Sequence, residues 1–113
     1  MKIKYCERVK GEALFVEKPY KKDDVIFVLD GDILVKPSKY SIEIAKDRHI
    51  LDQWGVYMNH SFNPTTKICG EKVVAIKDLE IGDELNFNYN LNETKMATPF
   101  YTDDGTHVSG INK

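Results

Sequence analysis

The chain has 113 residues, 42% of them hydrophobic and 30% charged, which is typical of one globular domain and not of a disordered chain, although a disordered tail stays open as an alternative. Its 16 basic and 18 acidic side chains give a formal net charge of -2, so we expect no nucleic-acid partner. No apolar run is long enough to span a membrane, and the polar N-terminal sequence has no signal-peptide core. We therefore expect no membrane association and a cytoplasmic location.

Short strands dominate the first half of the sequence. Residues 25–29 form an apolar run rich in β-branched side chains, and residues 32–35 form a second one. Asp30-Gly31 lies between them, and such a pair predicts a hairpin because both residues tolerate positive φ. Ile42 and Ile44 alternate on one face of a further strand. Residues 45–54 are expected to hold one short helix or turn.

Turns divide the second half in the same way. Residues 69–72, with Gly70, predict a turn before the strand 73–76, and residues 81–83, with Gly82, predict another before the strand 84–89. From residue 90 onward the sequence becomes polar and rich in Gly, Thr and Asp. We expect this tail to be irregular unless it packs over another part of the molecule.

The segment 84–89 is the first candidate for chemistry. Alternation along a strand places Leu85, Phe87 and Tyr89 on one face, and a buried phenol at the end of that face needs a hydrogen-bond partner. Taken alone, this pattern is that of a core strand.

The loop 57–64 is the second candidate. Asn59, His60 and Ser61 lie together between aromatic residues, and short polar side chains in a tight loop suit a small polar ligand. An Asx turn with a surface histidine remains an alternative. A Ser–His nucleophile pair is not favoured, because adjacent residues on an extended chain point apart and no acidic partner is evident. Zinc is not favoured either, because the three histidines are widely separated and no paired cysteines support them.

A third feature, residues 11–15 (GEALF), completes a pattern that resembles the SET domain of protein lysine methyltransferases. The corresponding family motifs are a G-x-G-x-F strand, an N-H-S-C/F loop near a proline, and an A-x-x-D-I-x-x-G-E-E-L-x-F-x-Y segment. The likeness covers residues 11–89 and has matching spacing. It implies a mainly β (β-clip) fold of several small sheets with a C-terminal pseudoknot, in a domain spanning residues 1–90 and followed by a tail, 91–113.

The resemblance also implies the residues of the site and its cofactor. It implies that S-adenosylmethionine is held by the backbone around residues 12–14 and by Asn59 and His60. Tyr89 would be the catalytic tyrosine, with Phe87 and Tyr57 lining a channel for the lysine of a protein or peptide substrate. The complete set is Glu12, Ala13, Leu14, Asn59, His60 and Phe100 for the cofactor, Tyr57 and Phe87 for the channel, and Tyr89 for catalysis.

The tail resembles a post-SET segment, which in many members reads P-F-x-C-x-C-G and binds zinc. Thr102 and Asp104 stand where the cysteines would be, so we expect no metal, whereas Phe100 can still fold over the cofactor. Two alternatives to an enzyme stay open. One is an inactive SET-like module that binds S-adenosylmethionine or a lysine-bearing peptide, and the other is a small β-rich interaction domain.

Overall fold

Small β-sheets make up most of the molecule. The computed structural model describes residues 1–93, 96, 99–102 and 105–110. The strands are β1 Lys2–Cys6, β2 Gly11–Phe15, β3 Val25–Val28, β4 Gly31–Leu34, β5 Ile42–Ala45, β6 Arg48–Asp52, β7 Asn59–His60, β8 Thr66–Cys69, β9 Lys72–Ala75, β10 Glu84–Phe87, β11 Phe100–Tyr101 and β12 His107–Val108. A 3-10 turn spans Gly55–Tyr57, and the short helix α1 spans Tyr89–Asn92. None of the helices in the described residues is long and apolar enough to cross a membrane.

The sheets have the strand orders β1-β2-β10-β7, β3-β9-β8, β4-β6-β5 and β11-β12. Strand β10 lies inside the first sheet, antiparallel to β2 and parallel to β7. Loop residues also hold it, because the Thr65 hydroxyl donates to the Glu84 carbonyl (2.7 Å) and the Thr66 hydroxyl donates to the Asn86 carbonyl (2.8 Å). A late segment of the chain thus passes between an early strand and the loop 59–66.

Both faces of strand β10 are buried in the core. Leu85 and Phe87 belong to the main hydrophobic cluster, as expected from the alternation. Asn86, which we placed on the opposite and more polar face, is buried too, and its Oδ1 accepts a hydrogen bond from the Thr65 backbone N–H at 2.9 Å. Because a buried amide needs partners, this bond fixes the strand against the loop. The end of β10 is therefore a rigid place from which to present a side chain.

The expected Asp30-Gly31 hairpin is wrong. Strand β3 pairs with β9 and strand β4 pairs with β6, so the two flanking strands belong to different sheets. Gly31 is needed for another reason: a Cβ there would collide with the backbone carbonyl of Leu51. The Asp30-Gly31 segment does connect two strands, but those strands pair with β9 and β6 and not with each other.

The helix or turn expected for residues 45–54 is replaced mainly by strand β6. This strand is central in its sheet, with β4 on one side and β5 on the other. Asp47, at φ 56°, makes the tight connection from β5. Pairing along both edges outweighs the weak local pattern.

Two other turns are confirmed. The hairpin between β8 and β9 turns at Gly70, with φ 59°, and the turn before β10 uses Gly82, with φ 92°. Both glycines supply a left-handed backbone that other residues adopt at a cost. These turns depend on local conformation, which explains why the sequence indicates them.

The tail is more ordered than expected where it is described. Strands β11 and β12 pair, with Phe100 opposite Val108. Asn90, in α1, holds this hairpin: its Oδ1 accepts from the backbone N–H groups of Ser109 (3.1 Å) and Gly110 (3.0 Å). The hairpin therefore packs next to the end of β10, beside the candidate site.

Candidate active site

Tyr89 lies where β10 gives way to α1. The strand ends at Phe87, two residues earlier than expected, and Asn88 caps the helix by accepting a hydrogen bond from the Asn90 backbone N–H. The Tyr89 hydroxyl donates to the Met58 carbonyl at 2.5 Å, and its ring packs 4.7 Å from that of Phe87. Burial, followed by the negative charge of Glu93, raises the pKa of Tyr89 well above 10. The hydroxyl is thus protonated and fixed.

His60 supports Tyr89 from the neighbouring strand. Its Nδ1 accepts a hydrogen bond from the Tyr89 backbone N–H at 3.0 Å, which assigns the ring proton to Nε2. Burial, and secondarily the charge of Arg8, lowers the pKa of His60 to about 4, so the ring is neutral at pH 7. Among the described residues, Nε2 is buried without a hydrogen-bond partner. It is therefore a donor that a ligand can satisfy.

Arg8 ties the β1–β2 turn to the same place. It bonds both carboxylate oxygens of Glu84, at 3.1 and 2.6 Å, and it donates to the His60 carbonyl at 3.0 Å. Glu84 is mostly shielded from solvent, so this two-pronged pair is stronger than an ordinary surface ion pair. Nothing in the sequence around Arg8 marks it, because its partners are more than fifty residues away.

Asn59 joins the loop to β2. Its Nδ2 donates to the Glu12 carbonyl at 2.9 Å, and its backbone pairs in register with Asn86. Ala13 and Leu14 are fully buried, and Leu14 is paired on one side with Ile3 and on the other with Leu85. The backbone of β2 is therefore largely engaged at Leu14 and more available near Glu12.

A cavity of about 570 Å³, the wide cavity, opens beside these residues. Its walls include Arg8, Lys10, Lys39, Asn59, His60, Tyr89 and Phe100. The Phe100 ring lies 6.1 Å from the His60 ring and 6.2 Å from the Tyr89 ring, so the tail hairpin forms one wall. The cavity combines three cationic side chains with aromatic surfaces.

A second cavity, the narrow cavity, has a volume of about 30 Å³ and also borders Tyr89. Its walls include Ile42, Gly55, Met58, Phe87, Tyr89 and Glu93. Half of its lining residues are apolar, and the rest, which include Ser38, Lys39, Tyr40 and Ser41, are polar or charged. Glu93, Met58 and Phe87 are buried. Tyr89 lines both the wide and the narrow cavity, as do Lys39, Tyr40, Val56 and Met96.

The remaining residues expected at the site lie to one side. Tyr57 and Glu12 line a third cavity, of about 490 Å³, together with Gly11 and Asn59. The structure thus brings Phe87, Tyr89, His60, Asn59 and Phe100 together and places Tyr57 with Glu12 in the adjoining space. Sequence reasoning missed Arg8, Asn90 and Glu93, which no local motif marks.

Metal ligands do not assemble in the described part of the chain, where no three His, Cys, Asp or Glu side chains come close enough to hold an ion. Thr102, at one of the two positions where post-SET segments have cysteine, accepts the Gly105 backbone N–H with its carbonyl at 2.9 Å. Asp104, at the other position, lies outside the described residues.

Comparison with known proteins identifies the fold. No protein-family model matches the chain, and no curated protein matches it. Among solved structures, it is similar to a humanized mutant of the Chaetomium thermophilum Polycomb Repressive Complex 2 bound to the inhibitor GSK126, with 18% identity and a TM-score of 0.58. The similarity covers 88% of this chain and 17% of that one. The expected mainly β, SET-like fold of several small sheets is confirmed.

Proposed function

We propose that the protein is an S-adenosylmethionine-dependent methyltransferase that acts on a lysine side chain of a protein or peptide. The observation that carries the proposal is the position of Tyr89, which lines two cavities of different size and whose hydroxyl is fixed by its bond to the Met58 carbonyl. Methyl transfer needs a donor and an acceptor that approach one point from two sides. Two cavities that both border one polar side chain are suited to that requirement.

The wide cavity suits the cofactor. Its volume falls within the usual range for small-molecule sites, which is about 300–1,000 Å³. Lys10 and Lys39 can attract the carboxylate of S-adenosylmethionine, whereas Arg8 is already paired with Glu84. The His60 Nε2–H is a buried donor in need of an acceptor. Phe100 offers an aromatic face. When bound, this cofactor supplies a methyl group activated by the sulfonium sulfur.

The narrow cavity suits the amine. A free lysine has a pKa of about 10.4, and burial beside Phe87 and Tyr89 lowers the pKa of such a group because the charged form is poorly solvated. Since the Tyr89 hydroxyl already donates its proton to Met58, its oxygen faces other groups as an acceptor. It can therefore orient an amine N–H and hold the nitrogen lone pair in line for transfer.

The backbone link between His60 and Tyr89 couples the two ligands. Any group that bonds the His60 Nε2–H also steadies the ring whose Nδ1 holds the Tyr89 backbone. A preorganised acceptor of this kind costs little reorganisation during the reaction. We therefore assign His60 to positioning and cofactor binding, and Tyr89 to the catalytic role.

Calorimetry and a turnover assay test the proposal. We expect near one-to-one binding of S-adenosylmethionine, unchanged by EDTA, because the proposed contacts use side chains and no metal. Labelled S-adenosylmethionine incubated with a mixed protein lysate should yield methylated lysine on mass spectrometry.

The other outcomes identify the alternatives. Binding without methylated lysine from any lysate indicates an inactive SET-like module. Absence of binding contradicts the proposal and leaves an interaction domain. Loss of binding with EDTA would mean that a metal takes part in holding the cofactor.

A further inference from the structure

Glu93 is a buried carboxylic acid that the chemistry above does not use. It is 5% exposed and lines the narrow cavity with Tyr89 and Phe87. It ends α1, where its backbone N–H donates to the Tyr89 carbonyl at 2.8 Å. Residues four apart on a helical turn share one face, so the Glu93 and Tyr89 side chains reach the same cavity.

The carboxylate is anchored through one oxygen. Its Oε2 accepts from the Glu43 backbone N–H at 2.9 Å and from the Asn92 Nδ2 at 2.6 Å. The same Asn92 amide donates to the Glu43 carbonyl at 3.0 Å, which ties α1 to β5. Because both of these bonds use Oε2, Oε1 is the oxygen that remains for a proton donor in the cavity.

The surroundings of Glu93 favour a cation as its partner. Burial, with a smaller contribution from the charge of Glu43, raises the pKa of Glu93 to about 7. The other titratable or charged groups that face it in the described chain are Tyr89, which is protonated, and Lys39 across the same cavity. The ion pairs that form within the described residues, Met1–Glu17 and Arg8–Glu84, do not involve it. A buried carboxylate without a counter-charge is costly, and a cationic ligand offsets that cost.

We propose that Glu93 receives the ammonium group of the substrate in the narrow cavity and takes one proton from it before methyl transfer. This inference rests on the proposed function and adds a residue to it. A cavity of about 30 Å³ holds roughly two water-sized groups, which is enough for an amine head and excludes a bulky side chain. The site thus selects a narrow, cationic amine.

The step balances as follows. One ammonium N–H bond breaks, its proton joins the Glu93 carboxylate, and its electron pair stays on nitrogen. That pair forms the bond to the methyl carbon as the carbon–sulfur bond breaks and its electrons go to sulfur. The positive charge moves from the sulfonium to the methylated nitrogen, and Glu93 releases its proton to solvent before the next cycle.

The first test needs no turnover. Protein labelled with ¹³C at the glutamate side-chain carboxyl is titrated with pH, alone and with n-butylammonium, a mimic of the lysine side chain. We expect the Glu93 titration midpoint to move down by about one pH unit or more with the amine, because a nearby cation favours the carboxylate. Butan-1-ol, the neutral analogue, should leave it unchanged. Equal responses to the two probes would overturn the inference.

The second test uses Glu93→Gln, which keeps an oxygen for Glu43 and Asn92 but removes the charge and the proton acceptor. We expect methyl transfer at pH 7 to fall roughly a hundredfold, the usual contribution of a general base, and to recover towards pH 10 as the substrate amine loses its proton unaided. Glu71→Gln, an exposed glutamate in the β8–β9 turn, should behave as the parent. A loss of equal size at every pH would assign Glu93 to structure alone and overturn the proton-transfer role.

The two tests separate this inference from the proposed function. If the parent methylates nothing, the enzyme proposal fails, and the butylammonium titration still decides whether Glu93 binds a cation. If the parent methylates but Glu93→Gln is fully active, Glu93 is removed while the proposed function stands. Should Glu93→Gln not fold, the titration of the parent protein decides the inference by itself.

Discussion

The two cavities that meet at Tyr89 differ in charge. Arg8 and Lys10 line the wide cavity but not the narrow one, Glu93 lines the narrow cavity but not the wide one, and Lys39 lines both. Because Arg8 is paired with Glu84, Lys10 is the cation particular to the wide cavity that has no ion pair within the described residues. Lys10 therefore favours an anionic group in the wide cavity, whereas Glu93 favours a cationic group in the narrow one. The difference suggests how two dissimilar ligands could be sorted before they meet.

The two cavities also differ in how firmly they are built. Ile42, Met58 and Phe87, which line the narrow cavity, are 2–3% exposed and belong to the core cluster. On the wide side, Phe100 is 38% exposed and Tyr101 is 71% exposed, in a hairpin of two-residue strands. A core wall resists change of shape, whereas a surface hairpin can adapt to a ligand. We expect strict selection on the narrow side and a closing contact on the wide side.

Replacing Tyr89, which lines both cavities, should have the largest effect on the rate of methylation. Tyr89→Phe keeps the ring packing but removes the hydroxyl that donates to Met58. Single-turnover methylation should slow by roughly a hundredfold or more, as when one preorganised polar contact is removed. The free energy of unfolding should fall by only about 1 kcal/mol, and cofactor affinity should change little. Tyr5→Phe, at an exposed tyrosine on β1, is the control; a Tyr89→Phe protein that methylates at the parent rate would remove Tyr89 from catalysis.

The buried acid should make stability depend on pH. The pKa of Glu93 is about 7 when folded and 4.5 in the reference state, so the folded protein holds the proton more tightly. Its contribution to stability is complete below pH 4.5 and is lost as pH rises through 7. The difference in pKa corresponds to roughly 3 kcal/mol.

Urea unfolding at pH 5 and pH 8 measures this contribution. The parent should lose more stability over that interval than Glu93→Gln. His60, whose folded pKa is about 4, acts in the opposite direction: its contribution is present above 6.5 and lost as pH falls through 4. It is common to both proteins and cancels in the difference. Parallel stability curves would contradict a buried, protonatable Glu93.

The loop contact should have a moderate effect on the wide side. Asn59→Ala removes the amide that bonds the Glu12 carbonyl and so loosens the loop against β2. We expect affinity for S-adenosylmethionine, measured by calorimetry, to fall roughly tenfold, which corresponds to the upper end of the net worth of one hydrogen bond, about 0.5–1.5 kcal/mol. Asn63→Ala, at an exposed position of the same loop, should bind as the parent does. Equal affinities of the two variants for S-adenosylmethionine would show that the Asn59 side chain does not contribute to cofactor binding.

Removing one charge from the wide cavity should have the smallest effect. Lys10→Gln shortens the side chain by one atom, keeps it polar and deletes a cation that lies at the surface. Cofactor affinity should drop by a few-fold in low salt and by less in high salt, because exposed charges are screened. Lys67→Gln, on β8, is the control for net charge. A loss that persists undiminished at 1 M salt would mean that Lys10 contacts the ligand by something other than long-range attraction.

Local chemistry explains which parts of the site could be predicted. Asn59 and His60 occupy a short polar loop, and Phe87 lies on an apolar strand face, so the sequence pattern marks all three. Arg8 and Glu93 could not be found in this way. Arg8 is placed at the site by its ion pair with Glu84, 76 residues away. Glu93 lines a cavity that exists only when α1 packs on β5.

In the fold, too, features that depend on local conformation could be predicted and long-range strand pairings could not. Gly70 and Gly82 mark turns because their left-handed backbone is a local need, and those turns are present. The Asp30-Gly31 pair carries an equally strong turn pattern, yet β3 and β4 separate because each has a partner elsewhere. Turn residues indicate where the chain can bend. Which strands then pair depends on the strand edges that are available in the folded protein.

The sequence by itself determined the mainly β character, the places of several turns, and the residues of the loop 59–61 and of strand β10, because these depend on conformational preference and alternation over a few residues. Tertiary structure decided that Tyr89 begins a helix, that its hydroxyl meets Met58, and that Glu93 and Arg8 line different cavities beside it. Those outcomes depend on the threading of β10 between β2 and β7, which pairs residues of β10 with residues of β2 about seventy positions earlier in the chain. A pairing at that distance leaves no periodic signal in the chain, because its energy comes from burial and hydrogen bonds that form only on folding.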